Sequence, residues 1–235
     1  SASTDIYTSS LVVSVSCFYE TASSSAHASA LAVAAAHRAF EEGPWPRMRP
    51  AERAAILRKI ADGIDKRREE IAQYESRDMG KPIREALNFD LPRVAHNFRF
   101  FGEFAEVGHT ETFDRKTDLM YVLREPAGVA ALITPWNFPL MLATWKVAPC
   151  LAFGNTCVLK PAEQSPITAS LLAEVAAEAG LPPGLVHLDL GSNYLGLNRE
   201  TGGPDPSGIR ALAEALPRLS ALQHLSLSYN GLGPE

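Results

Sequence analysis

Cysteine is scarce in this 235-residue chain, and the three present, Cys17, Cys150 and Cys157, form no CxxC pair. An odd, unpaired set argues against a disulfide framework and for a reducing, cytoplasmic setting. The six histidines are scattered without HExxH or comparable ligand spacing, so no metal site is expected. Basic runs are missing as well, and a net charge of -5 offers no surface to nucleic acid or to an anionic membrane. The longest apolar run is interrupted by Lys146, short of a membrane span. Residues 1–30 are rich in Ser, Thr and Ala, and their β-prone patch from Leu11 to Phe18 has no basic segment before it. That argues against a secretory signal and leaves an unassigned arm. What remains is a 46% hydrophobic composition, enough for one large or two small domains whose partners are small molecules or proteins.

From Leu31 the pattern turns helical. Leu31 to Glu42 is alanine-rich and stops at Gly43-Pro-Trp-Pro46. Ala51 to Tyr74 then reads as one amphipathic helix with Ile56, Leu57, Ile60, Ile64, Ile71 and Tyr74 along its apolar face. It ends near Gly80, and Pro82 starts a third helix whose stripe runs Leu87, Leu91, Val94, Phe98, Phe101, Ala105, with a kink expected at Pro92. The phenylalanines at 98, 100, 101 and 104 read as core packing. Thr110 to Arg124 alternates as a hairpin around Asp114 to Asp118.

The organising stretch follows. Ala130 to Thr134 is a short β-prone run broken at Pro135-Trp-Asn-Phe-Pro139, and Thr156 to Lys160 is a second, broken at Pro161. Between them Leu140 to Phe153 is long enough for a crossover helix. The unit therefore reads β-α-β, with both loops side by side at the carboxyl edge of a parallel sheet, where open α/β sheets bind ligands. Ser165-Pro166 reads as the cap and first position of a helix over Ile167 to Ala179, and Leu185 to Leu190 is a third strand.

Pro135-Trp-Asn-Phe-Pro139 with Lys160-Pro-Ala-Glu163, in that order, resembles the cofactor domain of the NAD(P)-dependent aldehyde dehydrogenases, from about Leu31 to about Leu188. Asp90-Leu-Pro-Arg93 and Asn97-Phe-Arg-Phe-Phe101 resemble the branch that acts on muconic-type semialdehydes. The resemblance implies oxidation of an aldehyde or semialdehyde to the acid through a cysteine thiolate, hydride transfer and a glutamate-activated water. It makes Asn137 the amide facing the oxyanion, where negative charge develops. Ile133, Thr134, Pro135 and Trp136 become the strand end that lines the cofactor. Lys160 and Glu163 become the pair holding the adenosine ribose, the carboxylate favouring NAD over NADP. Phe138, Met141, Leu142 and Trp145 fall near the aldehyde tunnel, and Lys146 near the reacting centre. Read from the residues alone, Asn137 is equally an N-cap for the helix after Pro139, and Lys160 and Glu163 are ordinary solvated residues. The family's nucleophile setting, its pyrophosphate-binding Gly-rich turn and its Glu-Leu-Gly-Gly base segment have no match, and Cys150 and Cys157 read as inert packing thiols. A chain truncated before the catalytic cysteine, holding a weak or partial NAD site and inactive alone, is the expectation.

Beyond that, Leu185 to Leu195 and Leu222 to Leu232 share the template LxxLxLxxNxL, with Asp205 to Leu216 a capped helix between them. This resembles a ribonuclease-inhibitor type of leucine-rich repeat, although a plain β-α-β continuation wants the same elements. The expected fold is α/β: a helical amino-terminal region, half of a doubly wound parallel nucleotide-binding sheet, and a short leucine-rich-repeat-like tail. The divisions fall at 1–30, 31–188 and 189–235. Three functions stay open: a dehydrogenase part that binds NAD, a protein-interaction module acting through residues 185–235, or a composite chain without independent function. The strand Leu222 to Leu227 is expected to lie parallel to Leu185 to Leu190 and, as an uncapped edge, to promote self-association.

Overall fold

The computed structural model describes residues 26–183 and the two strands Val186–Asp189 and Leu225–Ser226. The amino-terminal part is helical: α1 (Ala26–Glu41), a 3-10 turn (Trp45–Arg47), α2 (Pro50–Lys66) and α3 (Arg68–Met79). A single turn (Ile83–Glu85), a π-helical turn (Ala86–Asp90) and α4 (Leu91–Glu106) follow. The hairpin of β1 (Thr112–Asp114) and β2 (Leu119–Tyr121) pairs Thr112 with Tyr121 and Asp114 with Leu119, as the alternation predicts. Then come β3 (Val129–Ile133), α5 (Pro139–Ala152), β4 (Thr156–Lys160), α6 (Ile167–Glu178), β5 (Val186–Asp189) and β6 (Leu225–Ser226).

The last four strands form one sheet in the order β3-β4-β5-β6, with every pairing parallel. The expected α/β architecture with a parallel sheet is therefore present. The strand at Leu225–Ser226 lies parallel to Val186–Asp189, a result shared by the repeat reading of the tail and by a plain β-α-β continuation. The helix expected over Ile209 to Leu216 and the arm before residue 26 lie outside the described residues.

Apolar spacing explains most of the core. Leu57, Ile60 and Ile64 of α2 pack with Leu91, Val94 and Phe98 of α4, with Leu140, Val147 and Leu151 of α5, and with Leu159 of β4. Burial of side chains of this size stabilises by about 2 kcal/mol each. Trp45 is fully buried and its indole N–H donates to the Leu151 carbonyl at 3.1 Å. Arg53 Nε donates to the Ala152 carbonyl at 3.0 Å, placing a cation where the α5 dipole is negative. Gly63 is the near point of α2 and α6, since a Cβ there would stand 2.7 Å from Val175 Cγ1.

Five sequence expectations need correction. First, the α1 helix begins at Ala26, inside the segment set aside as an arm. Second, Ala51 to Tyr74 is not one helix but breaks at Arg67. The Arg67 guanidinium is drawn to Glu70 and to the buried Glu174 of α6, both at 2.8 Å. Third, the third helix is interrupted before Pro92 rather than kinked at it. Proline has no N–H for the i−4 carbonyl, and the preceding turn widens so that the Leu91 N–H reaches the Ala86 carbonyl. Fourth, Phe98 is buried and Phe101 partly so, but Phe100 and Phe104 are 48% and 51% exposed. They sit one position off the 4-3 spacing that faces the core. Fifth, Ser165 does not cap α6, for a reason that belongs to the site.

Candidate functional site

Where β3 and β4 end, their loops are joined. Ile133 pairs with Lys160, the Thr134 N–H donates to the Lys160 carbonyl at 3.1 Å, and Ser165 Oγ donates to the Trp136 carbonyl at 3.5 Å. Lys146, two turns into α5, donates to the Ile133 carbonyl. The two proline breaks thus lie side by side at the carboxyl edge. Ser165 is used to join the loops instead of capping its own helix.

Within the first loop Thr134 is buried, Pro135, Trp136 and Asn137 are exposed, and Phe138 is half-buried. Asn137 does not act as the N-cap of α5. That position belongs to Phe138, and no side chain there bonds the helix. The Asn137 side chain is thus exposed at the sheet edge and is not the cap of α5. Pro139 occupies the first turn of α5, where a missing N–H costs nothing.

Phe138, Leu142 and Trp145, spaced four and three apart, share one side of α5, half-buried, half-buried and 47% exposed respectively. Met141 turns the other way and joins the core. Of the four residues expected to shape a substrate pocket, Leu142 and Trp145 are thus presented outward, and Phe138 packs partly against the core.

Lys160 and Glu163 are both half-buried; Lys160 Nζ donates to the Pro161 carbonyl at 3.1 Å, and Glu163 lies within 3.5 Å of the Gln164 amide. An ammonium donor and a carboxylate acceptor three residues apart at a strand end suit the vicinal hydroxyls of a ribose. The loops at 134–138 and 161–166 contain no glycine. Their helices open on Pro139 and after Pro166, so neither offers the cradle of backbone N–H groups that a pyrophosphate takes at a Gly-rich helix start. The residues present fit the adenosine end of a dinucleotide. Among the described residues no cluster of three His, Cys, Asp or Glu side chains could hold a metal ion, and no helix is long and apolar enough to cross a membrane.

Both described cysteines are buried, as the sequence predicts. Cys150 Sγ lies 3.5 Å from the Thr156 carbonyl. The Cys157 thiol is pushed well above its usual range, first by its interaction with the Cys150 thiol and then by burial. Such a thiol is a poor nucleophile, and Cys150 is about 16 Å along α5 from Pro139 at 1.5 Å per residue.

Sequence reasoning missed the residues behind the loops. Asp78, at the end of α3, accepts the Ile167 N–H at 3.0 Å and so caps α6 from another helix. Lys81 pairs with Asp90, and its ammonium lies 3.8 Å from the centre of the Phe138 ring. Glu75 is fully buried beside them. The available signal was Asp78-Met-Gly-Lys-Pro82, a helix stop with opposite charges on either side of its glycine. Asp90, read as a marker of substrate branch, is an internal ion-pair partner. Asn97 of the same pattern is internal too, donating to Thr144 Oγ1 at 3.0 Å.

Residues 11–197 match the profile of the aldehyde dehydrogenase family, wider at both ends than residues 31–188 and including the first LxxLxLxxNxL segment. A 2-aminomuconic semialdehyde dehydrogenase of Danio rerio is 42% identical over 213 residues, covering 86% of this chain and 43% of that protein. A 2-hydroxymuconic semialdehyde dehydrogenase of Pseudomonas sp. (strain CF600) is 43% identical over 178 residues, covering 74% of this chain and 35% of that protein. The crystal structure of an indole-3-acetaldehyde dehydrogenase complexed with NAD+ superimposes with a TM-score of 0.65 at 44% identity, covering 67% of this chain and 32% of that one. The chain thus spans less than half the length of these relatives.

Proposed function

The chain belongs to the aldehyde dehydrogenase family, and from that membership we propose that it forms the adenosine-binding and oxyanion-facing part of an NAD-dependent enzyme that oxidises an aldehyde to an acid. The observation that carries this reading is the state of Asn137. Its amide sits exposed beside the joined loops and is not used to cap α5. In the reaction it donates to the oxygen that becomes negative as a nucleophile adds to the carbonyl. Lys160 donates to the ribose hydroxyls, and Glu163 accepts from the 2′-OH and repels a 2′-phosphate, so NAD is favoured over NADP. Ile133, Thr134, Pro135 and Trp136 form the wall against which the dinucleotide lies. When bound, NAD supplies the hydride acceptor. Cys150 and Cys157 are not the nucleophile, because both are buried and the Cys157 thiol is pushed well above its usual range.

The substrate class is a semialdehyde of the muconic type. The semialdehyde dehydrogenases of Danio rerio and Pseudomonas support it by identity. Asp90 and Asn97 support it as marks of descent and not as substrate contacts, since both are internal. Phe138, Leu142 and Trp145 are the side chains placed to touch such a substrate.

The test is thermal melting with millimolar NAD, AMP and NADP. A ligand that binds only the folded state stabilises by about 2.7 kcal/mol at a hundredfold excess over its Kd. NAD and AMP are expected to raise Tm alike and NADP less, with Lys160→Ala abolishing the shifts. An NADP shift as large as that of NAD would refute the role given to Glu163.

A further inference from the structure

The end of α3 and the residues just after it touch the start of α6 at Ile167 and the loop 134–138 at Phe138. Gly80, at φ 77°, closes the helix with its N–H on the Ser76 carbonyl, and Ser76 Oγ donates back to the Lys81 carbonyl at 2.7 Å. This reversal sends the Lys81 side chain inward, where it is 7% exposed and bonded to Asp90, itself 1% exposed. On its other side the ammonium faces the Phe138 ring at 3.8 Å, a contact that strengthens when water is excluded. Phe138 is the residue next to Asn137. Glu75 completes the cluster, with both carboxylate oxygens buried. Around it stand Asp90 from the π-helical turn, Lys81, the Thr168 hydroxyl of α6 and the Leu140 N–H of α5.

We propose that Lys81 is a positioning residue for Asn137: anchored by Asp90, its ammonium seats the Phe138 ring and so fixes the loop 134–138, while Glu75 competes with the ring for the same cation. One ammonium faces two carboxylates and one aromatic face. With Glu75 neutral, Asp90 and the ring share the cation. With Glu75 ionised, a second full charge draws the ammonium away from Phe138. Burial first, and the neighbouring Asp90 second, push the Glu75 carboxyl up to about 7, so the exchange falls in the neutral range. The proposal rests on the functional reading only in naming Asn137 as the beneficiary.

The experiment reads the loop itself. The chain is labelled with 5-fluorotryptophan and followed by fluorine NMR. Trp136 reports on the loop, the fully buried Trp45 serves as an internal control, and Trp136→Phe and Trp145→Phe assign the signals. The combined Lys81→Met and Asp90→Asn substitutions, which remove both charges, are expected to move the Trp136 resonance and leave Trp45 in place. Lys81→Arg is expected to keep the original shift. In a Phe138→Leu background the same pair of substitutions should produce no further movement. In the unsubstituted chain the Trp136 resonance should titrate with a midpoint near 7, and Glu75→Gln should remove that midpoint. An unmoved Trp136 resonance, or equal movement with and without the Phe138 ring, overturns the proposal. Should the doubly substituted chain not fold, the titration decides, and a missing midpoint or one retained in Glu75→Gln overturns it. Absence of NAD binding alongside these shifts would refute the cofactor reading and leave this one standing.

Discussion

Replacing Glu75 by glutamine is expected to stabilise the chain at about pH 8 and to change little at about pH 5. The side chain is fully buried, and burial together with Asp90 raises its carboxyl from an ordinary 4.5 to about 7, against the pull of Lys81. A carboxyl raised in this way binds its proton more tightly in the folded chain. Its contribution is therefore complete below about pH 4.5 and is lost as the pH climbs through about 7. The gap between those two values corresponds to about 3 kcal/mol. For a chain of this size that is roughly 6–12 °C in Tm. Asp65 does not confuse the window: burial would raise it, but hydrogen bonds from Arg68 and Arg99 hold it below its ordinary 3.8, so its effect appears only in stronger acid. Glutamine matches the protonated carboxyl in shape and cannot ionise, whereas alanine would add a cavity. The assay is a set of thermal melts at pH steps between 4 and 9. The unsubstituted chain should lose stability across the window, and Glu75→Gln should run nearly flat. Equal melting of the unsubstituted chain at both ends, or the same slope in both chains, would refute the reasoning.

Other outcomes follow from the same geometry. AMP should compete with NAD about as well as NAD competes with itself, because Lys160 and Glu163 address the ribose and no glycine-rich cradle follows either strand; titration calorimetry reads the ratio. The 235-residue chain should give no NADH from aliphatic, aromatic or muconic-type semialdehydes at 340 nm, and turnover abolished by Cys150→Ser or Cys157→Ser would show that a buried thiol does reach Asn137. Asp78→Ala should lower stability by about 1 kcal/mol through loss of the α6 cap, while Asp78→Asn should retain most of it, as urea melts would show.

The sheet was legible because its signals are local. Val129–Ile133 is an apolar run stopped just beyond Thr134 by Pro135, and Thr156–Lys160 is β-branched or apolar apart from its final lysine, stopped by Pro161, so pattern and punctuation agree. The hairpin and α5 were legible for the same reason. The helix breaks were not. Arg67 leaves its helix toward Glu174, 107 residues away, and nothing near Arg67 in sequence announces that partner. Phe100 and Phe104 depart from the expectation because four phenylalanines within seven residues exceed what one helix face can bury, and only the register of the neighbouring apolar residues says which two face inward.

The site divides along the same line. The loop residues Thr134 to Phe138, with Lys160 and Glu163, could be picked out because each stands in a motif at a strand end. The groups that hold those loops could not, because they act from a distance and look ordinary where they stand. Asp78 caps a helix that begins 89 residues later, and Ser165, which by sequence should have done that work, is released to join the two loops. Lys81 and Asp90 are nine residues apart, which on a regular helix would put them on opposite faces about two and a half turns apart, and they meet only because Gly80 reverses the chain and the turn before Pro92 widens. A buried ion pair of this kind contributes little net stability against its desolvation cost, and its best-attested use is to specify a single arrangement. Here the arrangement it specifies is the approach of α3 to the start of α5, which is also the position of Asn137.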